Sequence, residues 1–319
     1  MDTALAELRR DLAAPDLALT DLFAAGQRIR ARAVTWGAAA DLPTTRIAVL
    51  GGLTLDYLGA AIGCAAVQEG AAPILTLAPY GAWVQEVLDP QSGLHRFRPD
   101  VVVLAIDRRD VLDPLPPDAG EAAVAEAVAA KCALFQRLWD VLHTRLHARV
   151  LQHTLVAPAE GFRGPAERAL PASPANHARA LDAALWAAGR DVHWIELDRL
   201  AAEIGSRAFA GERFFHAAKL GFDPQFLPDY LPFFRAAWRS AHGRGRKVLA
   251  LDLDNTLWGG EIGDDGIDGI RLGPGSAEGE AFAAWGTYLH GLRARGVILA
   301  ACSKNDPAIA GAAFAHAHS

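Results

Sequence analysis

Apolar residues recur along this chain with two different periods. Near the amino terminus Leu5, Leu8 and Leu12, and then the stretch from Leu17 to Arg32, keep helical spacing. A break is expected at Pro15 and an end near Trp36-Gly37, so residues 1–44 read as a helical segment. From Arg46 onward short, solidly apolar runs alternate with longer amphipathic stretches. Ile47–Leu50, Ile74–Leu77, Val101–Ile106, Val150–Val156 and Val192–Glu196 predict strands, and Leu55–Glu69, Glu121–His147 and Pro174–Ala188 predict helices between them. Strands apolar at every position belong to a parallel sheet covered on both faces. Residues 45–225 are therefore expected to form a complete α/β domain.

Phe226–Trp238 predicts a further helix, which with His242-Gly243-Arg244-Gly245-Arg246 makes 226–245 a linker. A second strand–helix–strand pattern fills 246–319. Val248–Leu251 and Val297–Ala301 are expected to be buried strands. Ser276–Arg295 is the crossover helix, with Ser276 as N-cap, Gly296 just past its end, and Phe282, Trp285, Leu289 and Leu292 on one stripe. No internal repeat interrupts this order.

Composition narrows the function classes. A chain of 319 residues, 51% hydrophobic and 21% charged, has ample material for two cores. Its net charge of −6 argues against a general nucleic-acid or membrane-surface role. No apolar run reaches the ~20 residues of a membrane-spanning helix, and MDTALAELRR lacks the order of a signal peptide. Cys64, Cys132 and Cys302 are far apart and form no metal-ligand pair, so a reducing, cytoplasmic setting is expected.

The densest chemistry lies in Leu249–Gly260, LALDLDNTLWGG. A strand ends abruptly in Asp252, Asp254 and Thr256, and reacting groups of open α/β sheets gather beyond the carboxyl ends of strands. Two carboxylates two residues apart suit one Mg²⁺ together with a substrate phosphate. Asp252 can attack phosphorus while Asp254 passes a proton to or from the oxygen concerned. The plainer alternative is an acidic exit from a strand, with Asn255 and Thr256 supplying turn chemistry. The second strand ends in Cys302-Ser303-Lys304-Asn305, so a right-handed βαβ unit would make the two tips neighbours and let Ser303 reach a phosphoryl oxygen.

DLDNT and SKND resemble the first two motifs of the haloacid dehalogenase (HAD) phosphatase superfamily, and DLDNTLWGGEIGDDGIDGIRLG resembles its FkbH-like branch. The resemblance implies an α/β chain in which a flavodoxin-like or SGNH-like parallel-sheet domain precedes the first part of a HAD-like Rossmannoid domain. It implies that Asp252 forms an aspartyl-phosphate, that Asp254 serves as acid and base, and that Thr256 orients Asp254 or its loop. Mg²⁺ would be held by Asp252 and Asp254, the latter through its main-chain carbonyl, and Ser303 would bind a further oxygen. Trp258-Gly259-Gly260 would begin a flap. The branch implies glyceryl transfer from 1,3-bisphosphoglycerate, a phosphorylated glycerate, to an acyl carrier protein in polyketide biosynthesis, with no nucleic-acid or membrane partner. Cys302 would then be a thiol carrier beside Lys304, or else a buried apolar residue.

The same resemblance places Gly51-Gly52-Leu53-Thr54 where an SGNH hydrolase carries its nucleophilic Ser. Neither Gly52 nor Leu53 can be a nucleophile, and Thr54 is expected to cap a helix. Asp107 stands at the usual oxyanion Asn, where a negative charge is unsuited, and His216 near the usual terminal His has nothing to deprotonate. This domain is expected to bind or dock without hydrolysis. A turn is expected around Asp89-Pro90, ended by Gly93, and His177 and His193 are expected at or near the surface. The stretch after Asp306 supplies neither the further Lys nor the acidic pair of a HAD site, so the chain reads as stopping within that domain, with weak turnover expected. A generic small-molecule phosphatase and a non-catalytic docking protein are the competing readings.

Overall fold

The computed structural model describes residues 3–13, 17–38, 44–159, 161 and 163–315. The expected break at Pro15 lies outside them. Two compact units result, Met1–Gly243 and Arg244–Ser319.

Alternation of buried side chains builds the first unit. Five strands, β1 (Thr44–Leu50), β2 (Ala72–Leu77), β3 (Val101–Leu104), β4 (Arg149–His153) and β5 (Val192–Ile195), form one all-parallel sheet in the order β2-β1-β3-β4-β5. This is the flavodoxin-like order. Ile47, Val49, Val101, Val103, Leu151 and Ile195 face one core, while Ala48, Leu50, Val102, Leu104, Val150 and Val192 face the other. A period of two sends successive residues to opposite faces, so strands apolar throughout need helices on both. Helices Thr3–Asp11, Leu19–Ala38 and Asp56–Gln68 pack on the first face, and Glu121–Thr144 and Pro174–Ala188 on the second.

Several boundaries differ from expectation. The long helix stops at Thr144 rather than His147, because His147 takes a left-handed φ of +52° and turns the chain into β4. Val101–Ile106 leaves the ladder after Leu104, though Ala105 and Ile106 stay buried. The turn at Asp89-Pro90 forms, with the Ser92 N–H bonded to the Asp89 carbonyl at 3.0 Å. It joins two helices, Trp83–Leu88 and Gly93–Phe97, so Gly93 starts an element instead of ending one.

The helix expected to link the domains belongs to the first core. Leu227–Ala241 buries Leu227, Tyr230, Leu231, Phe234, Ala237 and Trp238 along one stripe against the same cluster as the amino-terminal helices. Arg235 and Arg239 from this helix close on Glu69 at 2.7 and 2.8 Å, and the Glu69 side chain is 5% exposed. His177, expected near the surface, is also buried, whereas His193 is half-buried and bonded to Ser240.

In the second unit β6 (Val248–Leu251) and β7 (Ile298–Ala301) run parallel, joined through helix Ala277–Ala294. The Ser276 hydroxyl caps that helix by accepting from the Gly279 N–H at 3.0 Å, and Gly296 leaves it at φ +90°. The two strands are less buried than expected: Val248 is 54% and Ile298 62% exposed. Of the predicted helix stripe only Leu289 is fully buried. The packed centre lies instead beyond the strand tips, where Leu253, Trp258, Ile262 and Ala313 meet.

Glu69 supplies a stability test. Burial alone would raise its carboxyl, but the bonds from Arg239 and Arg235 outweigh burial and hold it below the ordinary range. The stability it contributes is present above the unfolded-state value and lost as pH falls through the folded-state value. Glu69→Gln is expected to cost about 2 kcal/mol at neutral pH in urea unfolding. The gap to wild type should close below about pH 4.

Candidate functional site

Leu253 explains how the acidic tip is set. Its side chain is buried in the core of the second unit just past the end of β6, while Asp252 before it is exposed and Asp254 after it is half-buried. Asp252 is exposed, and its Oδ1 accepts the Leu253 N–H at 2.8 Å. Asp254 is gripped more firmly. Its Oδ1 accepts from Trp258 Nε1 at 3.0 Å and from the Ile262 N–H at 3.1 Å, and its Oδ2 accepts from Asn305 Nδ2 at 2.7 Å. Burial would raise the Asp254 carboxyl, yet these three donors hold it below the ordinary range, with Asn305 the strongest of them.

The loop between the acids and the core is held by its main chain. The Thr256 and Leu257 N–H groups both bond to the Leu253 carbonyl, and Asn255 at φ +54° accepts the Gly260 N–H on its Oδ1 at 2.9 Å. Thr256 thus shapes the turn, while Asp254 is oriented by Trp258, Ile262 and Asn305. Trp258 is 2% exposed, and Gly259 is bridged to Arg271 through two main-chain bonds. These residues form a packed anchor where a flap was expected. Gly260 at φ +99° is where the turn needs glycine.

The second tip stands beside the first because Leu251 pairs with Ala301 in the ladder and the Cys302 N–H bonds to the Leu251 carbonyl at 2.8 Å. Ser303 is exposed, and its Oγ accepts the Asn305 N–H at 3.1 Å. Lys304 is exposed, and Cys302, expected to be buried if it had no chemical role, is exposed as well. Sequence reasoning missed Asn305 and Trp258 as partners of Asp254. Their place four residues after one acid and two after Ser303 was the available signal.

The donors present fit Mg²⁺ in kind, since carboxylate and carbonyl oxygens are its usual protein ligands. The Asp254 carboxylate is committed to three N–H donors, so its contribution would come from the main-chain carbonyl and leave Asp252 as the carboxylate ligand. Among the described residues no group of three or more His, Cys, Asp or Glu side chains is arranged to enclose an ion.

The first unit has its own strand-end crevice, between β1 and β3 where the strand order reverses. It is nearly filled. Thr54, Tyr57, Asp107, Arg108, His153 and Phe222 leave about 30 Å³, room for roughly one water. Thr54 is no helix cap: its hydroxyl donates to the Ala218 carbonyl at 2.7 Å, and Leu55 takes the N-cap position without a side-chain bond. Asp107 caps the short Arg108–Val111 helix and pairs with Arg109. His216 is exposed on the neighbouring Glu212–Ala218 helix. Asp110 bonds both the Gly52 and Asp107 N–H groups at 3.2 Å, and burial, followed by the charge of Asp107, pushes its carboxyl up to about 6.

No protein-family model matches the sequence, and no match was found among curated proteins. Among solved structures, the chain is similar to the N-terminal part of the protein BF1531 from Bacteroides fragilis, described as containing a phosphatase domain complexed with Mg. The two share 22% identity with a TM-score of 0.76, over 98% of this chain and 77% of that one. A GDSL-like lipase from Bacteroides thetaiotaomicron is 14% identical with a TM-score of 0.34, over 69% of this chain and 98% of that one, too loose an overlap to bear on it further. The similarity to the BF1531 structure supports the α/β fold described above, a five-stranded parallel sheet in flavodoxin-like order followed by a smaller βαβ unit.

A Cβ placed on Gly52 would meet Asp110 Oδ1 at 2.3 Å, so the turn has no space for a serine. Gly52→Ser should produce no hydrolysis of p-nitrophenyl acetate and should cost roughly 1–3 kcal/mol in urea unfolding. An active, equally stable variant would overturn this account of the crevice.

Proposed function

We propose that the second unit performs HAD-type phosphoryl chemistry, with Asp252 as nucleophile and Asp254 as the group that carries the proton. The observation that supports it most is the contrast between the two acids. Asp252 is exposed at the strand end with little to hold it back, whereas Asp254 is fixed by three donors, two on the stretch that follows it and one on the second strand tip. A nucleophile must be reachable, and a proton carrier must be positioned. Mg²⁺, where bound by Asp252 and the Asp254 carbonyl, would offset charge on the phosphoryl group. The solved relative with a phosphatase domain and Mg supports the same reading.

The finer proposal is glyceryl transfer. An acyl-phosphate such as 1,3-bisphosphoglycerate presents a phosphoryl group and an activated acyl carbon together. Cys302 is exposed at the same strand end as Asp252. Attack of its thiolate on that carbon would form a 3-phosphoglyceryl thioester and expel the C1 phosphate. Asp252 would accept the C3 phosphoryl group, which water then releases as phosphate. The thiol of an acyl carrier protein would take the glyceryl group and free the Cys302 thiol. Ser303 and Lys304 lie on the adjoining loop, where they can bind phosphate oxygens.

Beryllofluoride with Mg²⁺ should give a protein-bound fluorine NMR signal that Asp252→Asn abolishes. A signal unchanged by the substitution would overturn the role of Asp252. Incubation with 1,3-bisphosphoglycerate and acyl carrier protein should add a glyceryl mass to the carrier, reduced at least ten-fold by Cys302→Ala. Phosphate release with no acylated carrier would favour a small-molecule phosphatase. Absence of both reactions would favour a docking role.

A further inference from the structure

The first unit leaves its strand-reversal crevice filled and opens a larger cavity elsewhere. Beyond the carboxyl ends of β4 and β5 lies a cleft of about 870 Å³. Its size falls within the range of small-molecule sites, and strand carboxyl ends are where open α/β sheets place ligands. One wall is a single stripe of the Pro174–Ala188 helix, on which Arg179, Asp182, Ala183 and Trp186 follow helical spacing. Facing it are Thr154 at the end of β4, Asp198 in helix Leu197–Ile204, and Arg207.

The polar groups of this cleft are built in. Asp182 Oδ1 accepts the Leu155 N–H at 2.6 Å, which fixes the carboxyl against the strand end. Burial, with the charge of Asp198 as a smaller cause, pushes Asp182 up to about 6. The Thr154 hydroxyl donates to Asp198 Oδ1 at 2.5 Å, and the Asp198 N–H donates back to Thr154 Oγ1 at 3.1 Å. Trp186 is 52% exposed beside them, its ring 5.3 Å from that of Trp194. An indole left half in water on the wall of a cavity presents both an apolar face and an N–H donor.

Charge decides the class of ligand. Both carboxylates and guanidiniums line the cleft, and Glu196, the third acid there among the described residues, is paired with Arg199 at 3.3 Å. A free cation would face Arg179 and Arg207, and a free anion would face Asp182 and Asp198. A neutral molecule rich in hydroxyls suits both, since carboxylates accept and guanidiniums donate to it in charge-assisted bonds. The C–H face of a pyranose ring is flat enough to lie on Trp186. We propose that this cleft is a carbohydrate-binding site, with Trp186 as the stacking platform and Asp182, Asp198 and Arg179 as hydroxyl partners. It is independent of the phosphoryl chemistry of the second unit.

The test is a titration of the full chain with methyl β-D-glucopyranoside, methyl β-D-galactopyranoside and methyl α-D-mannopyranoside. The Trp186 indole N–H would be followed by NMR and assigned with Trp186→Phe. At least one glycoside should give a saturable shift. Trp186→Ala and Asp182→Asn should each weaken binding about ten-fold, read for the alanine variant from the remaining perturbed signals, with the thermal unfolding curve unchanged. No saturable shift with any of the three would overturn the proposal. So would binding that survives both substitutions, or saturation by tetramethylammonium in place of the sugars.

Discussion

Asn305 and Asp254 are 51 positions apart, and the 2.7 Å bond between their side chains ties the two strand tips of the second unit together. The parallel register makes that bond possible. Leu251 lies beside Ala301, so both chains leave the sheet at the same end and on the same level. Trp258 supplies a second donor to the same carboxylate while its ring fills the core with Leu253, Ile262 and Ala313. Packing and chemistry therefore share one residue. A carboxylate held this way keeps its place because moving it would leave a buried indole N–H without a partner, which costs more than an ordinary hydrogen bond contributes.

The same architectural rule leads to a different outcome in the first unit. Its reversal point between β1 and β3 is where a ligand would be expected. Here Gly52 lies against Asp110, and the segment around Ala218–Phe222 is bonded across the opening. The Thr54 N–H takes the Lys219 carbonyl at 3.0 Å, and the Gly221 N–H takes the Tyr57 hydroxyl at 3.1 Å. Gly52 and Thr54 thus serve to close the opening, and Asp107 caps the helix beside it.

Much of this was legible in the sequence where a single period dominates. The five solid apolar runs marked the five strands, and Ser276 and Gly296 marked the ends of the crossover helix, because capping is decided within a few residues. Leu227–Ala241 was misread because its stripe is plain while the surface it covers is built from segments far away, the amino-terminal helices and β5 among them. Burial of β6 and β7 was overestimated for a related reason: an apolar run records what a strand can bury, and the neighbours decide what it does bury. DxD and the Ser/Lys tip were visible as chemistry, but the grip of Asn305 on Asp254 depends on register and could not be read from spacing alone. The lock of Asp110 on Gly52 depends likewise on two tips meeting in space.

Closure of the reversal crevice also bears on where the first unit can bind anything. The bonds that seal it join Thr54 to the main chain of 218 and 219 and the Tyr57 hydroxyl to the Gly221 N–H, none of them through an ionised group. His153 on its floor is held neutral, since burial lowers it to about 3, and its Nε2 meets the Tyr230 hydroxyl at 3.0 Å. With only about 30 Å³ left open, the crevice belongs to the core. Beyond the carboxyl ends of β4 and β5, Thr154 and Asp198 are bonded to each other and Asp182 to the main chain. Polar side chains fixed in advance around an open cleft lose little freedom when a ligand arrives, which is the condition under which a modest site binds at all.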